Sequence, residues 1–165
     1  MPRIQSFFPT HIYNAPLGTG TTARNRELLQ ATEKLRSADA AGRRWSTSNY
    51  PGGFTTYGSL DKLHRLSSTF SELQKQIDRH VRTYASTLQW NLRGQRLVMT
   101  DCWVNVMPKG CAHSFHLHPQ SLISGTYYVR VPRGAPGLKF EDPRLSKFMA
   151  APQRPGLHLT HPAKA

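Results

Sequence analysis

The amino-acid sequence predicts an antiparallel β fold carrying two helices. A long amphipathic stripe fills residues 60–88, and a shorter helical pattern fills 22–38. Beyond Gly94, short β-branched and aromatic runs alternate with Gly/Pro turns, which is the texture of a sheet, sandwich or barrel.

The elements follow in chain order. Residues 4–14, IQSFFPTHIYN, read as an edge strand or an extended arm, because Pro9 has no N–H to give a ladder. Residues 15–21 are a loop. In 22–38, Leu28, Leu29, Ala31 and Leu35 stand among charged residues, with Thr21 or Thr22 as the cap. Residues 42–58, GRRWSTSNYPGGFTTYG, fit no period and read as an ordered loop whose glycines let aromatics pack closely. In 60–88 the apolar residues from Leu60 to Leu88 recur every three or four positions. Ser59 is the expected N-cap, Asn91 and Gly94 the stop, and a sheet the expected partner.

Strands are expected at 97–106, 122–131 and 138–140, with turns at Lys109-Gly110 and from Pro132 to Gly137. Residues 1–148 form one expected domain and 149–165 a tail. With no strand pair expected after Phe148, the sheet keeps an open edge through which copies of the chain could associate.

Charge and composition narrow the function. The chain has 165 residues, with 22 lysines and arginines against nine acidic residues, a net charge of +13. Such a surface attracts polyanions, so non-specific nucleic-acid binding stands open. Sequence-specific readout has no motif to support it, since neither a helix-turn-helix signature nor a C-x-x-C finger is present. No apolar run approaches the length of a membrane span, and the N-terminus lacks a signal-peptide pattern. A cytoplasmic address and reduced thiols at Cys102 and Cys111 are expected.

The segment His113-Ser-Phe-His116-Leu-His118-Pro119 holds three of the eight histidines. If 115–118 are extended, His116 and His118 point to one side and can grip one metal ion; His113 points away unless the chain bends at Ser114. Imidazole suits zinc, copper, iron and nickel. Rings bonded to backbone, or an exposed polar loop, would produce the same pattern.

Taken whole, the stretch from Trp103 through His116-Leu-His-Pro-Gln-Ser-Leu-Ile-Ser-Gly-Thr-Tyr-Tyr-Val-Arg-Val-Pro132 resembles the 2-oxoglutarate- and iron(II)-dependent oxygenases of bacteria and their phages. Leu138-Lys-Phe-Glu-Asp-Pro-Arg144, Gly52-Gly-Phe-Thr-Thr-Tyr-Gly58 and Phe8-Pro-Thr-His-Ile-Tyr13 extend the likeness to about residues 6–145. The resemblance implies a mostly β fold with α, a double-stranded β-helix or jelly roll with helices 22–38 and 60–88 on one sheet. It also implies a dioxygenase that hydroxylates an undefined small-molecule or protein substrate, using dioxygen, Fe(II) and 2-oxoglutarate.

Carried over residue by residue, His116 matches the first iron ligand and His118 stands in the acidic ligand's place, with His161 for the distal histidine. Asn105 and Ser121 would line the pocket with either Tyr127 or Tyr128, since strand alternation turns only one of these inward, and Arg130 or Arg144 would meet a carboxylate of 2-oxoglutarate. Members of the family run on past the D-P-R segment to their distal His and Arg, and here that pattern dissolves. The expectation is a jelly roll incomplete at its C-terminus, with two explanations open: a chain inactive through truncation, which is favoured, or an atypical tail that supplies the third ligand. The rivals are a non-catalytic basic remnant of the fold, a nucleic-acid-binding protein, and a cupin-like protein holding zinc or nickel.

Overall fold

A computed structural model describes residues 2, 3, 5, 6, 8–142 and 144. The chain divides into two compact units, Met1–Gly125 and Thr126–Ala165.

The first unit is built on helices. Helix α1 spans Thr21–Ala38 and buries Leu28. Its N-cap is Gly20 in the left-handed region (φ 72°), a conformation open to glycine, and no side chain caps it. Thr21 instead sends its hydroxyl to the Gly18 carbonyl (2.5 Å).

Residues 42–58 are not a loop throughout, because helix α2 occupies Ala40–Asn49. Its start is set by Asp39, whose carboxylate accepts from Gly42 N–H (2.7 Å). The same carboxylate accepts from Ser59 Oγ (2.5 Å), so Ser59 serves this cap and does not open the next helix.

The stripe at 60–88 folds as two helices, α3 (Leu63–Leu66) and α4 (Ser68–Thr87). Ser67 separates them with extended backbone (φ −142°, ψ 134°). Across that break the apolar period persists, so Leu63, Phe70 and Leu73 are all buried. Each such side chain stabilises the unit by about 1.5–3 kcal/mol. α4 packs on α1 and α3, not on a sheet. After Leu88, Gln89 turns left-handed (φ 54°) and ends the helix before Asn91.

The predicted N-terminal arm reaches α4. Tyr13 OH bonds His80 Nδ1 (3.0 Å), the Tyr13 and Tyr84 rings lie 5.5 Å apart, and Tyr84 OH donates to the His11 carbonyl (2.7 Å).

The expected double-stranded β-helix is not the fold. The first unit's sheet has two strands, β1 (Phe54–Thr55) and β2 (Asn105–Val106), paired antiparallel with Phe54 opposite Val106. A jelly roll needs two packed sheets of several strands each. Among the described residues, 122–131 and 138–140 carry no strand. The reason is that alternation prepares a segment for a sheet, but only a hydrogen-bonded neighbour makes it a strand.

Of the expected strand 97–106, the C-terminal half finds neighbours, and it finds two. Cys102 exchanges backbone bonds with the 61–63 segment (Cys102 N to Asp61 O, 2.6 Å; Leu63 N to Cys102 O, 2.9 Å). Val104 O accepts from Thr56 N (3.2 Å), and Val104 N donates to Thr56 Oγ1 (3.3 Å).

Among the described residues of the second unit, neither helix nor strand is found. A turn forms at Pro132–Ala135 (3.1 Å), with Gly134 left-handed (φ 81°). The expected tail, 149–165, lies outside the described residues. Among the described residues no helix is long and apolar enough to cross a membrane.

Two glycines test the packing. A Cβ on Gly58 would run into the Trp45 ring, whereas one on Gly125 would meet nothing within 4 Å. Gly58→Ala should therefore cost about 1–3 kcal/mol of stability by overpacking. Gly125→Ala should stay within about 0.5 kcal/mol. Urea denaturation of both variants checks the contrast.

Candidate functional site

The histidine segment lies against an arc of rings in the first unit. The arc starts at Trp45 in the middle of α2 and runs to Tyr57 just past β1 (ring centroids 5.7 Å apart). It continues to Trp103, one residue from the Cys102 bridge (5.1 Å), and then to His118 (5.9 Å). From there it passes to His116 (5.0 Å), to His113 (5.6 Å) and to Tyr50 (4.5 Å). Tyr50 is the C-cap of α2, so the arc leaves one helix and returns to it.

Local chemistry explains each position. Tyr50 is buried, and Gly53 passes so close to its ring that a Cβ there would lie 2.5 Å from it. The glycines interleaved with aromatics do serve close packing here. Tyr50 stacks on His113 at an interplanar angle of 24°, which anchors the histidine segment to the core. A turn from Pro108 to Cys111 (3.1 Å), with Gly110 left-handed (φ 86°), carries the chain from β2 to His113.

His116 Nδ1–H donates to the Ser114 carbonyl (2.8 Å), the bend that brings His113 beside His116. His116 and His118 meet edge to face at 78°. Tyr57, His113 and His116 are exposed, while Trp103 and His118 are half-buried.

The environment shifts two of these groups. Burial, and then the neighbouring His116, lower the pKa of His113. Burial, and then the Cys111 thiol beside it, raise that of the Tyr50 phenol.

The other residues singled out from the sequence divide between the two units. Asn105 lies in β2 and is exposed, as is Ser121, whose N–H donates to the His118 carbonyl (3.0 Å). Tyr127, Tyr128, Arg130 and Arg144 belong to the second unit. Burial raises the Tyr128 pKa. Arg144 grips Asp142 with two parallel bonds, Nε to Oδ1 (3.0 Å) and Nη2 to Oδ2 (2.8 Å). Those bonds hold the Asp142 carboxyl at about 2. His161 lies outside the described residues.

The expected Fe(II) site and its 2-oxoglutarate are corrected by this geometry. The three imidazoles touch, yet among the described residues no three His, Cys, Asp or Glu side chains converge to hold a metal ion. The sheet is also not the walled β scaffold that would cradle such a centre. The readings as a dioxygenase, a metal-binding protein or a jelly-roll remnant fall with it.

Residues 101–163 match the model of a family described as "Putative 2OG-Fe(II) oxygenase". That stretch is under half of the chain, and its last part lies outside the described residues. No curated protein matches the chain. The likeness read from His116, His118 and their flanks is therefore real over this stretch, while the family's expected scaffold is not what the described residues form.

Sequence reasoning missed the arc itself. Trp45, Tyr50 and Tyr57 sit in the stretch read as loop, and their spacing of five and seven residues has no regular period. The visible signal was the glycine-aromatic alternation there.

A second histidine has a different character. His64 is buried at 5% exposure, and among the described residues neither ring nitrogen makes a well-formed hydrogen bond. Burial, then the Arg65 charge, lower its pKa, against smaller opposing effects of the Met99 backbone, Asp101 and Asp78. At neutral pH and above, folded and unfolded chains both carry neutral His64. As pH falls through about 6.5, the unfolded chain takes up a proton that the folded one refuses, so stability declines. Urea midpoints should fall between pH 7 and 5. His64→Leu should flatten that slope, leaving the part owed to His113.

Proposed function

We propose that the protein binds single-stranded nucleic acid without sequence preference. The observation behind this reading is the arc of touching rings on a strongly basic chain. Its exposed members and the half-buried Trp103 offer ring surface on which bases stack, and stacking tolerates any base because every base has a π face.

Charge supplies the long-range attraction. The first unit holds 15 lysines and arginines against seven acidic residues. Its ion pairs among the described residues, Arg36–Glu33, Lys62 with Asp61 and Asp101, and Lys75–Glu72, are exposed and leave many cations over. Arg44, Arg65, Arg82 and Lys109 have no carboxylate partner among the described residues. Lys109 stands on the turn between Trp103 and His113, where a phosphate of a stacked strand would pass. His113, whose pKa is lowered by its packing against Tyr50 and by the neighbouring His116, gains its charge below the ordinary imidazole range.

The test is anisotropy of a labelled oligothymidylate across salt concentrations. Trp103→Ala should weaken binding by about 1–3 kcal/mol, roughly five- to more than a hundredfold. Lys109→Gln should reduce the slope of log K against log salt by about 0.7. Lowering the pH below the ordinary imidazole range should tighten binding, and His113→Ala should blunt that gain. Salt-independent binding, or a Trp103→Ala variant that binds as the parent does, would overturn the reading.

A further inference from the structure

A cleft of about 270 Å³ opens between α2, the end of α1 and the two strands. Arg36 and Arg43 line it together with the apolar Phe54, Val106 and Pro108. No acidic side chain lines it. We propose that this cleft is a binding site for a small organic phosphate, a phosphomonoester whose dianion meets the two guanidinium groups. The inference is separate from strand binding by the ring arc and does not rest on it.

The state of Arg43 carries the argument. Its Nη1 donates to the Arg36 and Ser37 carbonyls (2.8 and 2.5 Å). Those carbonyls belong to the C-terminal turn of α1, where acceptors are left over and the helix dipole is negative. Arg43 thus covers a feature that would repel an anion, and the same two bonds fix its plane. Nε–H and Nη2 have no protein partner among the described residues. They form the side-on edge that takes two oxygens of a phosphate in parallel bonds.

Arg36 is only loosely matched, at 3.8 Å from an exposed Glu33 carboxylate. Two cations lining one cleft suit a dianion with three oxygens better than a monocarboxylate.

The rest of the cleft limits the ligand. The Ser46 and Thr47 hydroxyls already donate to the Gly42 and Arg43 carbonyls (2.7 and 3.0 Å). Recognition therefore falls to the arginines and to apolar contact. The volume sits near the lower edge of the roughly 300–1,000 Å³ that ligand pockets occupy. A mononucleotide or sugar phosphate fits that size; a dinucleotide does not.

Isothermal titration of the full chain with 5′-AMP, inorganic phosphate and adenosine tests this. AMP should bind, phosphate more weakly because it lacks a body to contact Val106 and Pro108, and adenosine not at all at matched concentration. Arg36→Gln and Arg43→Lys should each weaken AMP about tenfold or more. Arg43→Lys removes the bidentate edge and could also loosen the end of α1, so Arg36→Gln, whose side chain holds no backbone group, decides if helicity drops. Trp103→Ala should leave AMP affinity unchanged, which separates the cleft from the ring arc. AMP binding that survives in Arg36→Gln, equal binding of AMP and adenosine, or no binding of AMP and phosphate by the parent chain would each overturn the proposal.

Discussion

The backbone of residues 102–106 is held from two directions, and the first unit is organised around that double hold. Cys102 bonds to Asp61 and Leu63, Val104 bonds to Thr56, and Val106 pairs with Phe54. Backbone donors and acceptors buried without partners are costly, so a segment entering a core must find partners along its length. Here one partner is the β1 strand and the other is the approach to α3. Both are drawn onto the same segment, and Trp103 between them is fixed in place. The ring contacts to Tyr57 and His118 follow from that position.

Buried polar groups knit the surrounding helices to this hold. Asp39 joins the start of α2 to Ser59, and Ser46 donates to the Gly42 carbonyl while accepting from Thr55 N–H (3.0 Å). Each of these side chains answers a backbone group that would otherwise be orphaned. Among the described residues, His64, the Tyr50 hydroxyl and Arg24 Nη1 are buried without a well-formed hydrogen bond. The surplus of positive charge stays outside, where water screens its self-repulsion and where it is free to meet an anion.

The match to an oxygenase family model and the fold among the described residues pull apart for a physical reason. A short motif such as His116-Leu-His118 records which side chains stand side by side along the chain. A metal centre requires donors from distant segments to converge, and a rigid scaffold performs that convergence. The local part is present, for the His116 and His118 rings do meet. What they meet further is His113, Trp103 and, through them, Tyr50 and Tyr57. The motif has been incorporated into an aromatic surface.

Helix α1 and the buried stripe Leu63, Phe70 and Leu73 were legible in the sequence, because helical periodicity is a local property that tertiary contacts need only ratify. The likeness of the His116 region to the oxygenase family model was legible for the same reason. Helix α2 was not, because it lacks an apolar period and is held by Asp39 and Ser46, whose partners are chosen in three dimensions. The break at Ser67 was hidden inside an unbroken stripe. The strand content was overestimated, since alternation at 122–131 describes a segment while a ladder is a property of two. Sequence by itself determined the charge, the helical faces and which residue types stand together; tertiary structure alone decided which segments pair and which rings touch, because hydrogen-bond partners and ring contacts join residues far apart in the chain.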